Sequence, residues 1–353
     1  MSTPLDEVAR SAGEWLRGIG PLHEIVISTR IRLARNVRGF VFLNRADTDT
    51  KREIAEAILA AVRRAGPLKE QVYIDVDGLD DLDRSLLVER HLISRQHADG
   101  TGARGVVFHP SEASAIMINE EDHLRIQVMR SGLQIDEAWE QINNLDDAIE
   151  ENVDYAFDPQ YGYLTACPTN VGTGIRVSVM LHLPALRLTN ELEKVGRAAR
   201  DMKLAVRGLH GEGTEALGDF FQISNQITLG RAEDEIIDDF RSVVIPKIVE
   251  YESATRQTLL KSRPQALDDK IWRAMGLLQN ARLISSHEAM QCLSHLRMGL
   301  HTGRLPDVNL QTLNELFLQI QPAHLQKLHG ERLNGEQRSV ERAAFIRARL
   351  HTN

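Results

Sequence analysis

Cysteine is almost missing: the 353 residues include two, Cys167 and Cys292. Two cysteines so far apart build no disulfide framework and leave too few thiolates for a cysteine-type zinc site. A reduced, cytoplasmic protein is the simplest expectation. No stretch approaches the roughly 18 apolar residues of a membrane span. Asp6, Glu7 and Arg10 stand where an export signal would need an apolar core. The chain has no Gly-x-x-x-x-Gly-Lys-Ser/Thr and no His-Arg-Asp or Asp-Phe-Gly, which excludes P-loop enzymes and ordinary protein kinases. His287-Glu288 lacks the second histidine of a zinc protease. There is no internal repeat and no low-complexity tract, and neither nucleic acid nor membrane is expected as a partner.

The composition is that of an ordinary globular protein, 42% apolar and 26% charged. At about 150 residues per domain, the length suggests two domains. Charge is uneven: residues 1–255 hold 28 basic and 42 acidic residues, whereas 256–353 hold 14 and 8. The change of sign points to a boundary, with Lys261-Ser262-Arg263-Pro264 as the linker, one domain over 1–258 and another over 259–353.

Texture changes at the same place. Period-two alternation marks strands at 24–33, 115–119 and 124–129, with further strands at 176–182 and 220–228. Helical periodicity lies between them, at about 49–64, 79–94, 134–152, 189–202 and 232–256. Clustered strands without regular βαβ alternation predict an α+β domain with a mainly antiparallel sheet. Beyond the boundary the pattern is helical, at about 266–280, 286–301, 309–319 and 336–350, predicting a small all-α domain.

Four segments combine unusual residue types. In Ser28-Thr29-Arg30-Ile31-Arg32 the two arginines share one face of a strand and repel unless an anion lies between them. Asn119-Glu120-Glu121-Asp122-His123-Leu124-Arg125 sets three acids before a strand that projects an arginine. Cys167-Pro-Thr-Asn-Val-Gly-Thr-Gly-Ile-Arg176 is a Gly-rich loop opening into a strand. Arg207-Gly-Leu-His-Gly-Glu-Gly-Thr-Glu215 flanks Glu212 with glycines, which permit close approach of backbone to ligand. Taken singly, each also fits something plain: a solvated basic face, a polar turn, a buried cysteine, a Gly-rich connection.

Together the four segments resemble the guanidino (phosphagen) kinases, the family of creatine and arginine kinases. The motifs at 119–125 and 167–173 are specific to it, and the match runs from about residue 20 to about 255. The resemblance implies an antiparallel sheet flanked by helices, MgATP bound across it, and in-line transfer of the γ-phosphoryl group to a guanidinium nitrogen. It implies a phosphate clamp of Arg30, Arg32, Arg125, Arg176 and Arg207. Further ATP contacts would come from Ser28, His91, Val177, Ser178, Val179, Met180, Gly208, Leu209, His210 and Gly211. Glu121 and Glu212 would grip the acceptor, and Cys167 would lie near its nitrogens in a positioning role. Glu120 and Asp122 would stand behind them, Glu120 reaching Mg²⁺ through water. The chemistry suits these residue types: a planar guanidinium fork makes two parallel charge-assisted bonds to phosphate. Phosphoryl transfer is then positioning plus charge stabilisation.

Kinases of free guanidines begin with a helical domain, but here the Ser-Thr-Arg-x-Arg strand starts at residue 28 and a helical region follows instead. That arrangement looks like the bacterial protein-arginine kinases, as do 32–36, 207–216 and 222–226. The acceptor would then be an arginine within a protein. The resemblance further implies a homodimer, a zinc-finger activator protein, and marking of clients for a Clp-type protease or inactivation of a stress-response repressor. It also implies a phosphoarginine pocket at Arg338, Ser339, Arg342 and Ala343, where serine replaces the family's aspartate. Two alternatives remain: a kinase for a free guanidine, and an inactive phosphoarginine-binding adaptor.

Overall fold

A computed structural model describes residues 4–68, 70–208 and 217–351. Its centre is strand β1 (Val26–Arg35). Ile31 and Leu33 point to one face and are fully buried, while Ser28, Arg30 and Arg32 point to the other. β1 pairs antiparallel with β5 (Leu124–Ser131) on one side and β8 (Ile175–His182) on the other. Around this trio lie β2 (Val72–Asp75), β3 (Gly105–Phe108), β4 (Ser114–Ile118), β9 (Leu204–Gly208) and β10 (Phe220–Asn225). The order is β2-β3-β4-β5-β1-β8-β10-β9, and every pairing is antiparallel. A separate two-stranded ribbon joins β6 (Phe157–Asp158) and β7 (Gly162–Tyr163).

One sheet face is apolar throughout. Ile31, Leu33, Ile126, Val128, Val177, Val179 and Ile223 form it, each fully buried. Helices α2 (Thr48–Arg64), α5 (Ile135–Glu150), α7 (Leu192–Asp201), α8 (Glu233–Asp238) and α9 (Ile245–Ser262) cover that face. Burying a side chain of this size contributes about 1.5–3 kcal/mol, so this layer drives the sheet's assembly. A six-residue π turn at Asp239–Val244 joins α8 to α9, so the helix expected at 232–256 is one run from 233 to 262 with a wider turn inside it.

The other face is divided. Its β2–β4 end packs on α1 (Pro4–Arg10) and α3 (Asp81–Glu89), with the short α4 (Arg95–Asp99) beside them. A β-bulge between Val26 and Ser28 inserts Ile27 as an extra residue. Ile27, Met129, Met180 and Phe220 then form an apolar end on which the C-terminal helices sit. These are α10 (Pro264–Asn280), α11 (Ser286–His301), α12 (Leu310–Gln319), α13 (Pro322–His329) and α14 (Gly335–His351); the short α6 (Pro184–Leu188) precedes α7. The helix α9 runs through residues 258 and 259, and the chain breaks at Arg263, the single residue before Pro264 starts α10. The fold is the expected α+β architecture, with its helical region docked on the polar side of the sheet.

Candidate active site

Between the two apolar ends the same sheet face is polar and opens into a cavity of about 720 Å³. Strand register brings its arginines together. Arg32 lies directly opposite Arg176 on β8, Arg30 opposite Ser178, and Arg207 on β9 opposite Gln222 on β10. Arg125 enters from β5, and all five arginines line the cavity. Arg30 donates from Nη2 to Gln222 Oε1 at 2.8 Å. Burial, then the guanidiniums of Arg176, Arg125 and Arg207, push the Arg30 pKa down to about 10. Arg32 is pushed well below its ordinary value by burial, then by the guanidiniums of Arg30, Arg125 and Arg176. Buried Arg32 Nε and Ser178 Oγ have no partner among the described residues. Like charges held this close, with donors left open, call for a multivalent anion such as a polyphosphate.

The acid end is tied to this cluster. Asn119, at φ +59°, turns the chain after β4, and its Nδ2 donates to the carbonyls of Lys51 and Ala103. Glu120 accepts Arg125 Nη1 at 2.7 Å and the Ser94 hydroxyl. Glu121 accepts Arg125 Nη2 at 3.1 Å and keeps a part-exposed carboxylate, whose pKa burial raises. Asp122 is fully buried and faces away: its Oδ1 accepts Asn36 Nδ2 at 2.7 Å and Ala166 N–H at 2.6 Å. It therefore ties the acidic turn to the Cys167 loop. His123 accepts the Val37 N–H at Nδ1 and meets the Val41 carbonyl at Nε2, an arrangement that requires a neutral ring.

Cys167 opens a 3-10 turn over Pro168–Asn170, and its Sγ lies 3.0 Å from Thr169 Oγ1 at the cavity edge. Arg35 is buried beneath this loop. It pairs with Asp146 of α5, donates to the Thr173 carbonyl, and lies 3.6 Å from the centre of the Tyr163 ring. Gly174, at φ +66°, lies so close to β1 that a Cβ would stand 2.6 Å from the Ala34 carbonyl oxygen. His91, at φ +60°, meets the Trp15 ring edge-on at 4.8 Å, and both line a small chamber with Ser28, Ser178 and Met180 at the inner end of the site.

Not every expected residue arrives here. Val177 and Val179 were expected among the ATP contacts, but the strand pleat turns both into the helix-covered core. Val177 N–H is also taken by Asn225 Oδ1. Gly208 ends β9. Leu209, His210, Gly211 and Glu212 lie outside the described residues. In the helical region Arg342 is buried and donates to the carbonyls of Ile320, Ile284 and Arg338. Ala343 belongs to the core, Ser339 Oγ donates to the Gly335 carbonyl, and Arg338 to that of Leu333. Arg342 is thus engaged as a helix tie. Sequence reasoning missed Asn36, Ser94, Trp15, Gln127 and Gln222 at the site. Asn36, Gln127 and Gln222 sit on or just after strands and Ser94 caps a short helix, a signal too general to single out, and Trp15 lies in a short 3-10 turn away from any recognised motif.

Comparison with known proteins agrees with this geometry. Residues 53–255 match the family model of the ATP:guanido phosphotransferase C-terminal catalytic domain, and 264–353 that of the protein-arginine kinase McsB C-terminal domain. The protein-arginine kinase of Halothermothrix orenii is 46% identical, over 98% of this chain and 99% of its own. That of Symbiobacterium thermophilum is 48% identical, over 97% and 98%. The chain belongs to the protein-arginine kinase family of ATP:guanido phosphotransferases. Among solved structures, lombricine kinase superposes with a TM-score of 0.59 at 26% identity, over 72% of this chain and 71% of that one. A duplicated taurocyamine kinase from Schistosoma mansoni gives 0.60 at 25% identity, over 74% of this chain and 40% of that one. This family member is therefore a phosphotransferase, and none of its described helices is long and apolar enough to cross a membrane.

Proposed function

We propose that this chain transfers the γ-phosphoryl group of MgATP to the guanidinium of arginine residues in proteins. The observation that supports this reading best is the convergence of five arginines and the Glu120–Glu121 pair on one cavity. The arginines neutralise the triphosphate and the charge that spreads over the transferring group. One such arginine is worth about 10³–10⁵ in rate in other phosphoryl-transfer enzymes. Glu121 holds the acceptor guanidinium and aims one nitrogen at phosphorus. The N–P bond forms as the bond to the β-phosphate oxygen breaks, ADP leaves, and the proton of the attacking nitrogen passes to carboxylate. Burial raises the Glu121 pKa, which makes it a better acceptor for that proton. Glu212 supplies a second carboxylate in this proposal, and Cys167 lines the acceptor side.

Among the described residues no three metal-ligating side chains converge. The donor set fits a Mg²⁺ ion that would be held by the nucleotide phosphates, with Glu120, which lines the cavity beside Arg125, meeting its water shell. The ion would neutralise phosphate charge and orient the transferring group. We further propose a cytoplasmic homodimer, assembled through the helical region and stimulated by a zinc-finger activator. Its phosphoarginine product would mark clients for a Clp-type protease or inactivate a stress-response repressor. A phosphoarginine site at Arg338 and Arg342 remains part of this proposal only if Arg342 gives up its carbonyl partners.

The test uses labelled MgATP and a loosely folded, arginine-rich protein, with and without excess free arginine. Acid-labile label on protein, not competed by free arginine, is the expected result. Label on free arginine instead would assign the chain to the small-guanidine kinases. Nucleotide binding without any label would favour the adaptor. Glu121→Gln should abolish transfer and leave nucleotide affinity within a few-fold, and full activity in that variant would refute its role.

A further inference from the structure

A second cavity, of about 530 Å³, adjoins the first. Val88 and Arg95 line both, so the two share a wall. Ser94, which caps α4, donates to Glu120, and this fixes Arg95 beside the acidic end of the catalytic cavity. The second cavity therefore opens off the end where Glu120 and Glu121 stand.

Its walls come from both parts of the chain, α3 and α4 on one side and α13 on the other. Glu89 joins them: its carboxylate accepts the Ala323 N–H at 2.8 Å, the His324 N–H at 2.9 Å and His324 Nδ1 at 2.7 Å. His324 Nε2 in turn accepts Arg90 Nη1 at 3.1 Å, and Arg90 pairs with buried Glu112. The groove is thus built on a hydrogen-bonded frame. Leu82, Ala98 and Pro322 supply an apolar floor, and three arginines and three acids share the rim. Arg84 is paired with Asp81, and Arg332 with Asp80. Arg95 and Asp99 have no partner among the described residues, and both are exposed. No buried polar atom in these walls lacks a partner, so nothing here specifies a small polar ligand.

We propose that this groove seats the polypeptide that flanks the target arginine. An apolar side chain of that segment rests on the floor, and Arg95 and Asp99 meet its carbonyls, N–H groups or charged side chains. The balanced rim fits a chain of mixed sequence, and the shared wall makes groove and catalytic cavity one continuous path. A free guanidine would need only the first cavity. The inference rests on protein arginine being the acceptor.

Ser85 is exposed on α3 and lines the groove without reaching the catalytic cavity, so Ser85→Trp fills the groove. Two acceptors are compared: a loosely folded arginine-rich protein and acetyl-glycyl-arginyl-glycinamide. The variant should raise KM for the protein at least tenfold, with kcat, KM for ATP and tripeptide turnover within about twofold of wild type. A long peptide with its arginine replaced by alanine should inhibit wild type on the protein acceptor and lose that inhibition in Ser85→Trp. Asp99→Lys should raise KM for acceptors with basic flanks and spare the tripeptide. Equal effects on both acceptors, or none on either, would overturn the groove assignment while wild type still labels protein. Wild type that labels no protein arginine would sink the parent reading and this one together.

Discussion

Arg30→Met should make the nucleotide-free protein more stable and the nucleotide-bound protein impossible to reach at ordinary ligand concentration. The arginine cluster is an energetic liability while no anion lies in it. A guanidinium whose pKa falls from 12.5 to about 10 carries about 3.4 kcal/mol of unfavourable charge energy, at 1.36 kcal/mol per tenfold change in proton affinity. Solvent in the open cavity screens this to about 2 kcal/mol. Methionine keeps much of the aliphatic stem and gives up one hydrogen bond, Arg30 to Gln222, worth about 1 kcal/mol. The balance is a gain of about 1 kcal/mol, or about 2 °C in Tm for a chain of this size. Scanning calorimetry in a buffer free of phosphate and sulfate would read it. MgATP at 100 times its Kd should raise wild-type stability by about 2.7 kcal/mol and should do far less for the variant. A variant less stable than wild type without nucleotide, or equally stabilised by MgATP, would refute the view that Arg30 is held in place for an anion.

Three further outcomes follow from neighbouring contacts. Asn36→Ala removes its bonds to Asp122, Leu164 O and His123 N–H, two of them fully buried, and should cost about 3 kcal/mol in urea unfolding. It should also lower kcat at least tenfold by loosening the turn that carries Glu121, whereas unchanged kcat would refute that positioning role. His97 is buried with neither ring nitrogen partnered among the described residues, and burial holds its pKa down to about 4. The unfolded chain binds that proton near pH 6.5, so stability falls as pH drops from 6.5 toward 4. At pH 5.5 the loss from this residue is about 1.4 kcal/mol, and unfolding free energies from urea titrations at pH 7.5 and 5.5 should differ by that much less in His97→Leu. Arg342→Ala should cost about 2–3 kcal/mol in stability by stranding the carbonyls of Ile320 and Ile284, whereas a residue kept only for a ligand would be nearly silent.

The sequence revealed what repeats along one element and hid what depends on register. β1, β5 and β8 were legible because each alternates between an apolar and a polar face. β3, Gly105–Phe108, is buried on both faces and so shows no alternation, and β2 and β9 are short strands at the sheet edges. The helix expected at 79–94 stops at Glu89 because Arg90 closes it and His91 turns left-handed; Leu92 and Ile93 continue the apolar period in a turn. The strand expected through 228 ends at Asn225, whose side chain bonds the backbone of Ile175 and Val177. α13 starts at Pro322, two residues after α12 is capped, and is too short to show a period. At the site, alternation alone puts Arg30 and Arg32 on one face. Nothing local says that Arg125, Arg176 and Arg207 meet them, since that follows from strand pairings such as Ala34 with Arg125, Arg32 with Arg176 and Arg207 with Gln222, which no single segment contains.

The docking of the helical region on the arginine-bearing face has a structural logic. A sheet face that must carry clustered cations cannot bury itself, so its apolar flank has to be covered by something else. Met129, Met180 and Phe220 are that flank, and the C-terminal helices cover them. The contact is also directional. Arg297 on α11 donates to His182 Nδ1 at 3.1 Å, which leaves Nε2–H to donate to Ser294 Oγ at 2.8 Å, whose own proton goes to Asp219 Oδ2 at 2.5 Å. Every group in this relay has one role open to it, and burial keeps His182 neutral as the relay requires. Asp219, left-handed at φ +60°, is the residue before β10, whose Gln222 holds Arg30. The helical region thus sets the start of the strand that orients the phosphate-binding cluster. Its attachment to the sheet and the geometry of the active site are one packing problem, which is why a charge boundary in the sequence does not mark a mechanical boundary in the fold.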